Sequence, residues 1–328
     1  MNRLQQWMTK LGRPAVAPLI GAPGAALTST TLRQNLSDEE AHTESIRAVH
    51  ARWPSDIVLP MMDLSIEAGA LGLAVRFSDH EPPTVQEHPV KEKADLDRFR
   101  AVDVLSDRRL RSVLRTLANL SSLDDAMLCA YAVGPFTLAG LLMGANEIAM
   151  ATIRKPDLVH ATLQFAARIA ETYAAECLVA GAQGVLLLEP TAALLSPTAF
   201  EEFSGRYIAR LTEQLDAMCM LHVCGQTTPL LDAMCATGVD GLSLDAPVDF
   251  PRVIDRIPVS MTLIGNIDPV RVLRAGDPGA VRAEVRCLRA GMARHENFIL
   301  STGCDLPLET PPETIDAFFD AARAELAA

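Results

Sequence analysis

Aromatic residues make up only 5 % of the 328-residue chain, so its core must be built from Leu, Ala, Val, Ile and Met. No run of lysines and arginines occurs, and the formal net charge is −12. That argues against nucleic acid as a partner, because phosphate recognition rests on a concentrated basic surface. Paired-cysteine spacing is also missing. The seven cysteines, an odd number, are scattered at 129, 177, 219, 224, 235, 287 and 304, which is no disulfide framework and points to a reducing compartment. The apolar run 131–145 falls short of the roughly 20 residues a membrane helix needs. At the N-terminus, MNRLQQWMTKLGRPAVAPLIGAPGAAL begins basic and turns apolar. Pro14, Pro18 and Pro23 break that stretch, and no small-residue cleavage site follows. The expectation is a soluble cytoplasmic protein without a membrane partner.

What is present is a 49 % hydrophobic content arranged in short runs. VAPLIG (16–21), DIVLPMMDL (56–64), AMLCAYAVG (126–134), GVLLLEP (184–190), MCMLHVCG (218–225), GVDGLSLD (238–245), SMTLIGNID (260–268) and NFILSTGCD (297–305) give eight candidate strands. They are nearly continuous in hydrophobicity rather than alternating, as parallel strands covered on both faces are. Helical patterns lie between them. One spans 36–53, with Ser37 ahead of an acidic first turn, and another 156–182. A third, at 196–218, has Ser196 as a cap and a proline in its first turn; a fourth closes the chain from Pro311. Eight strands alternating with helices predict a (β/α)8 TIM barrel in one domain, 1–328, with an N-terminal helical extension; a doubly wound open sheet is the alternative. The charged segment 78–112 reads as a surface excursion, a loop or hairpin leading into a helix.

Side chains two apart on a strand share a face. His222 and Cys224 therefore point together at the C-terminal end of the fifth candidate strand, and Gly225 begins the turn. Active sites of barrels are built at that end. Cys304, preceded by Gly303, ends the eighth strand in the same way. Two readings stand side by side. Free cysteine is among the most buried residues, so the pair can be mere packing. Alternatively, one imidazole and two thiols form a Zn²⁺ shell that leaves a fourth position open. Asp245, ending LSLD, is the best-placed carboxylate to fill that position. Glu189 and Asn266 also sit at strand ends and are secondary catalytic candidates. Cys129, Cys177, Cys219, Cys235 and Cys287, with Met218 and Met220, read as packing residues, and His295 as structural.

Five motifs in order, LPMMDLSIEAGALG (59–72), GPFTLAGLLMG (134–144), LHVCGQTTPLLDAM (221–234), LIGNIDPVRVL (263–273) and ILSTGCDLPLETPPETI (299–315), resemble the uroporphyrinogen decarboxylase superfamily. They look most like its zinc-dependent methylcobamide:coenzyme M methyltransferase branch. The resemblance implies an enzyme that moves a methyl group from a methylated corrinoid to a thiol such as coenzyme M. His222, Cys224 and Cys304 would be its zinc ligands, and the family's acidic ligand would fall at Asp245, where this chain has Asp in place of Glu. Asp63 stands where decarboxylases keep a functional aspartate. The decarboxylase branch holds its substrate's carboxylates with N-terminal arginines, in a pattern like Arg-Gln-Ala-Gly-Arg. The matching stretch here, LIGAPGAALTST, has none. No Asp-x-His-x-x-Gly corrinoid-binding signature occurs, so a methylcobamide is expected to arrive on a separate corrinoid protein. A non-catalytic corrinoid- or metal-binding protein is the remaining alternative.

Overall fold

The computed structural model describes residues 1–325. Its strands are β1 (Ile57–Val58), β2 (Val75–Arg76), β3 (Thr84–Val85), β4 (Met127–Val133), β5 (Gly184–Leu188), β6 (Met218–Val223), β7 (Gly241–Leu244), β8 (Thr262–Ile267) and β9 (Phe298–Thr302). Seven of them form one parallel sheet in the order β1-β4-β5-β6-β7-β8-β9. The stretch Ala15–Ala17 closes the ring. Ala17 N–H donates to Leu300 O (2.8 Å) and Leu300 N–H to Ala15 O (3.2 Å), while on the other flank Asp56 N–H donates to Val16 O (2.9 Å). The result is an eight-membered TIM-type barrel.

The first expected strand, 16–21, is cut to a single bridge at Val16. Pro18 has no N–H for a ladder, and the Leu19 N–H donates to Thr302 Oγ1 instead. Pro60 likewise lies two residues past the end of the short β1. Helix Glu39–Arg52 is capped by Asp38 rather than Ser37, with Oδ1 accepting from the Glu40 and Ala41 amides. Ser196 caps Pro197–Phe200 as the pattern predicts. That helix passes through a π turn at Glu201–Gly205 before continuing as Arg206–Leu215.

The charged excursion begins earlier than expected, with the β2–β3 antiparallel hairpin. It is also better anchored. Val90, Leu96, Phe99 and Val104 all reach the main core, so the charge density of 78–112 concealed widely spaced apolar anchors. Helix Arg108–Leu120 then buries Leu110, Val113, Leu117 and Leu120, an i, i+3, i+7, i+10 stripe.

Alternation sets the barrel's interior layers. Met127, Cys129 and Tyr131 from β4, Leu186 and Leu188 from β5, and Met218 and Met220 from β6 pack together inside. Helix Arg3–Leu11 plugs the N-terminal end. Asn2 caps it, the Asn2 amide and Arg3 N–H bond to Asp240 just ahead of β7, and Leu4 inserts among the interior side chains. A Cβ at Gly241 would stand 2.9 Å from Leu4 Cδ2, so the glycine leaves room for Leu4 where it now sits.

Cys129, Cys177 and Cys219 are buried as expected, whereas Cys235 is half-buried and Cys287 is exposed. On helix Pro278–Met292 the buried residues are Val281, Val285 and Met292, and position 287 falls off that stripe. Among the described residues no single helix is long and apolar enough to cross a membrane.

Candidate metal centre

Three side chains converge where β6 and β9 end. His222 Nε2 lies 3.1 Å from Cys224 Sγ and 3.6 Å from Cys304 Sγ, and the two sulfurs are 3.6 Å apart. Their donor atoms all fall within 4.8 Å of one another. Since a disulfide needs about 2.05 Å, the two thiols are free.

Local backbone chemistry sets this convergence. His222 belongs to β6 and faces inward with Met218 and Met220, four and two residues before it. The turn at Gly225 has φ +84°, which a residue with a Cβ adopts poorly. Gly303 has a different reason to be glycine. A Cβ there would stand 2.6 Å from the Ala246 nitrogen and 2.9 Å from Asp245 Oδ1. Only a bare backbone lets the end of β9 come against the end of β7 and deliver Cys304 to the other two.

The imidazole is oriented from behind. Ser243, two residues before Asp245 on β7, lies 3.0 Å from His222 Nδ1, which leaves Nε2 facing the sulfurs. Burial pulls the ring's pKa down, but Cys304, Asp245 and Asp305 outweigh it and the net shift is upward. Cys304 is pushed far up, first by its contact with the Cys224 thiol and then by burial. Two crowded sulfurs resist ionising together, and a bound cation removes that resistance. Soft thiolates, an imidazole held through its other nitrogen, and a three-donor set together fit Zn²⁺.

Asp245 does not join the group. Its Oδ2 accepts from the Gly225 amide (2.8 Å) and its Oδ1 from the Ala246 amide (2.7 Å), so it fastens the turn behind Cys224. Glu189 is fully buried at the end of β5. It accepts from the Phe136 and Thr137 amides at the start of helix Pro135–Met143, and from Ser204 Oγ on the π turn. Burial raises its pKa against those hydrogen bonds. Its carboxylate is thus turned into the wall rather than towards the mouth. Asn266 donates to the Asp245 and Val248 carbonyls (3.0 and 2.6 Å) and ties β8 to the loop after β7. Asp63 accepts from Ser65 N–H and Oγ and pairs with Arg109, whose guanidinium lies over Phe77.

Sequence reasoning passed over Ser243, Arg109, Tyr131 and Asp305. The alternation that placed His222 also puts Ser243 inward, so its signal was available. Arg109 sits 46 residues from Asp63 in a charged stretch with no local mark.

With this geometry in place, relatives are informative. The uroporphyrinogen decarboxylase (URO-D) family matches residues 13–325. The chain belongs to that family. It is 28 % identical over 296 residues to the methylcobamide:CoM methyltransferase MtbA of Methanosarcina mazei, covering 88 % of this chain and 85 % of the relative. It is 27 % identical over 291 residues to the uroporphyrinogen decarboxylase of Burkholderia pseudomallei, covering 82 % and 78 %. A solved methyltransferase structure from Methanosarcina mazei superposes with a TM-score of 0.87 at 22 % identity, over 98 % of this chain and 97 % of that one, which establishes the shared fold.

Proposed function

We propose that this chain is a zinc-dependent methyltransferase that passes a methyl group from a methylated corrinoid, delivered by a separate corrinoid protein, to a small thiol. The observation that carries the reading is the convergence of His222, Cys224 and Cys304 at the C-terminal mouth. These three would hold the metal, and Zn²⁺ there supplies a charge that keeps an acceptor sulfur deprotonated at neutral pH, where a free thiol with a pKa near 8.5 is mostly protonated.

The chain's own residues do the rest. Ser243 fixes the ring of His222, Asp245 and Gly225 fix the position of Cys224, and Gly303 sets that of Cys304. Glu189 and Asn266 lock the loops around the mouth, while Asp63 and Arg109 neutralise one another beside it. The acceptor thiolate attacks the methyl carbon of the corrinoid; the S–C bond forms, the Co–C bond breaks, and its electron pair stays on cobalt as Co(I).

The decarboxylase alternative lacks a recognition device. A polycarboxylate substrate calls for unengaged arginines, the 19–30 stretch has none, and Arg109 is spent on Asp63. The test is spectroscopic. Methylcobalamin mixed with zinc-loaded protein and a thiol should lose its methyl–cobalt absorption. A His222→Ala/Cys224→Ala variant should lose both zinc and that activity. Turnover of a porphyrinogen carboxylate by metal-stripped protein would instead support the decarboxylase.

A further inference from the structure

Beside the three donors lie polar atoms that nothing in the protein satisfies. Tyr131 Oη and Asp305 Oδ1 are buried without a hydrogen-bond partner. Tyr131 is 6 % exposed and faces the barrel interior from β4; Asp305 follows Cys304 directly. Both belong to the neighbourhood of the cluster. The ionisable groups that act on the Tyr131 hydroxyl include Asp305 and Cys304, and those that act on His222 include Asp305. A buried polar atom without a partner is costly, so two of them together mark a place where a ligand completes the bonding.

The charge of the mouth restricts that ligand. The loops leaving β4 through β9, up to the next helix, contain Glu189, Asp245, Asp249, Asp268, Asp305 and Glu309 and no lysine or arginine. The nearest arginines in sequence, Arg271 and Arg274, pair with Asp268 and Glu309. A sulfonate offers only acceptors and calls for a cation or several N–H donors. The free atoms here are a carboxylate oxygen and a phenolic oxygen, both able to accept. A primary ammonium has three donors to give them.

We propose that the methyl-accepting thiol carries an ammonium group, received by Asp305 with Tyr131 Oη as second acceptor, so that the site selects aminothiols over sulfonated thiols. This rests on the thiol methyltransferase reading and narrows its substrate class.

Three two-carbon thiols isolate the tail: cysteamine, 2-mercaptoethanol and 2-mercaptoethanesulfonate. Their affinities for the zinc-loaded full chain are measured by calorimetry, with zinc content checked in every variant. Cysteamine should bind about ten-fold or more tighter than the sulfonate, the scale of one charge-assisted hydrogen bond. Asp305→Asn should collapse that ratio by weakening cysteamine and strengthening the sulfonate. Tyr131→Phe should weaken cysteamine and leave the sulfonate unchanged. Sulfonate binding as tight as cysteamine in the unaltered protein, or a ratio that survives Asp305→Asn, overturns the tail assignment alone. If none of the three binds, the thiol methyltransferase reading falls and takes this assignment with it.

Discussion

The two ends of the barrel use the same residue type in opposite ways. Towards the N-terminal end, Cys129 faces the interior from the third position of β4, and Cys219 on β6 turns to the surrounding helices. Burial pushes both thiols up to about 12, and the space beneath Cys129 is filled by the Arg3–Leu11 plug with Leu4 at its tip. At the C-terminal end, Cys224 and Cys304 are only partly buried and share their space with an imidazole. Among the described residues, the group of three His, Cys, Asp or Glu side chains close enough to share a cation lies at this end. What separates an inert thiol from a ligand here is therefore the neighbour, not the cysteine.

Cys304→Ser separates the two ends most sharply. It should reduce bound zinc from about one per chain to near none and drop thiol methylation at least ~1,000-fold, since it removes one of three donors. Cys129→Ser should leave zinc untouched while costing about 1–3 kcal/mol of stability for a hydroxyl placed in an apolar layer. Metal analysis and denaturant unfolding on the pair decide the matter; equal zinc loss in both would erase the distinction. Leu4→Ala tests the plug from the other side. A loss of about 2–5 kcal/mol is expected, with zinc stoichiometry unchanged, because the cavity opens far from His222. Ser243→Ala should weaken zinc binding about 10–100-fold by freeing the imidazole, with a smaller effect on unfolding. A chelator competition titration reads that shift.

Glu67 gives a subtler contrast at the same mouth. It is fully buried, its Oε1 accepts from the Val133 amide, and its other oxygen has no partner. Burial, with Asp63 adding a smaller push, raises its pKa from 4.5 to about 8. The folded protein thus holds this proton more tightly than the unfolded chain does. The stability it contributes is complete below pH 4.5 and is lost as pH rises towards 8. Thermal unfolding of the unaltered protein should fall across that window, and Glu67→Gln should flatten the fall. A slope identical in both proteins would assign the pH dependence elsewhere.

The sequence carried the barrel and the His222, Cys224 and Cys304 set because both depend on local rules: continuous apolar runs for covered parallel strands, and alternation for which side chains share a face. It carried less of what those rules do not govern. The Val16 strand was overdrawn because one proline changes where a ladder can run. Glu189 and Asn266 were located correctly at strand ends, yet their side chains turn into the walls. Partners decide that direction, and Thr137, Ser204 and Val248 lie 15 to 52 residues away. Arg109 was invisible for the same reason. Gly303 was legible only as a glycine before a cysteine; its purpose, a close approach to Asp245 and Ala246, required the fold.

Zinc-edge X-ray absorption on the loaded protein, before and after adding cysteamine, tests the central claim most directly. The expected resting shell has two sulfurs at about 2.3 Å and one nitrogen at about 2.0–2.1 Å, with a third sulfur entering when the thiol binds. A shell without sulfur, or a sulfur count still at two in saturating thiol, would contradict it.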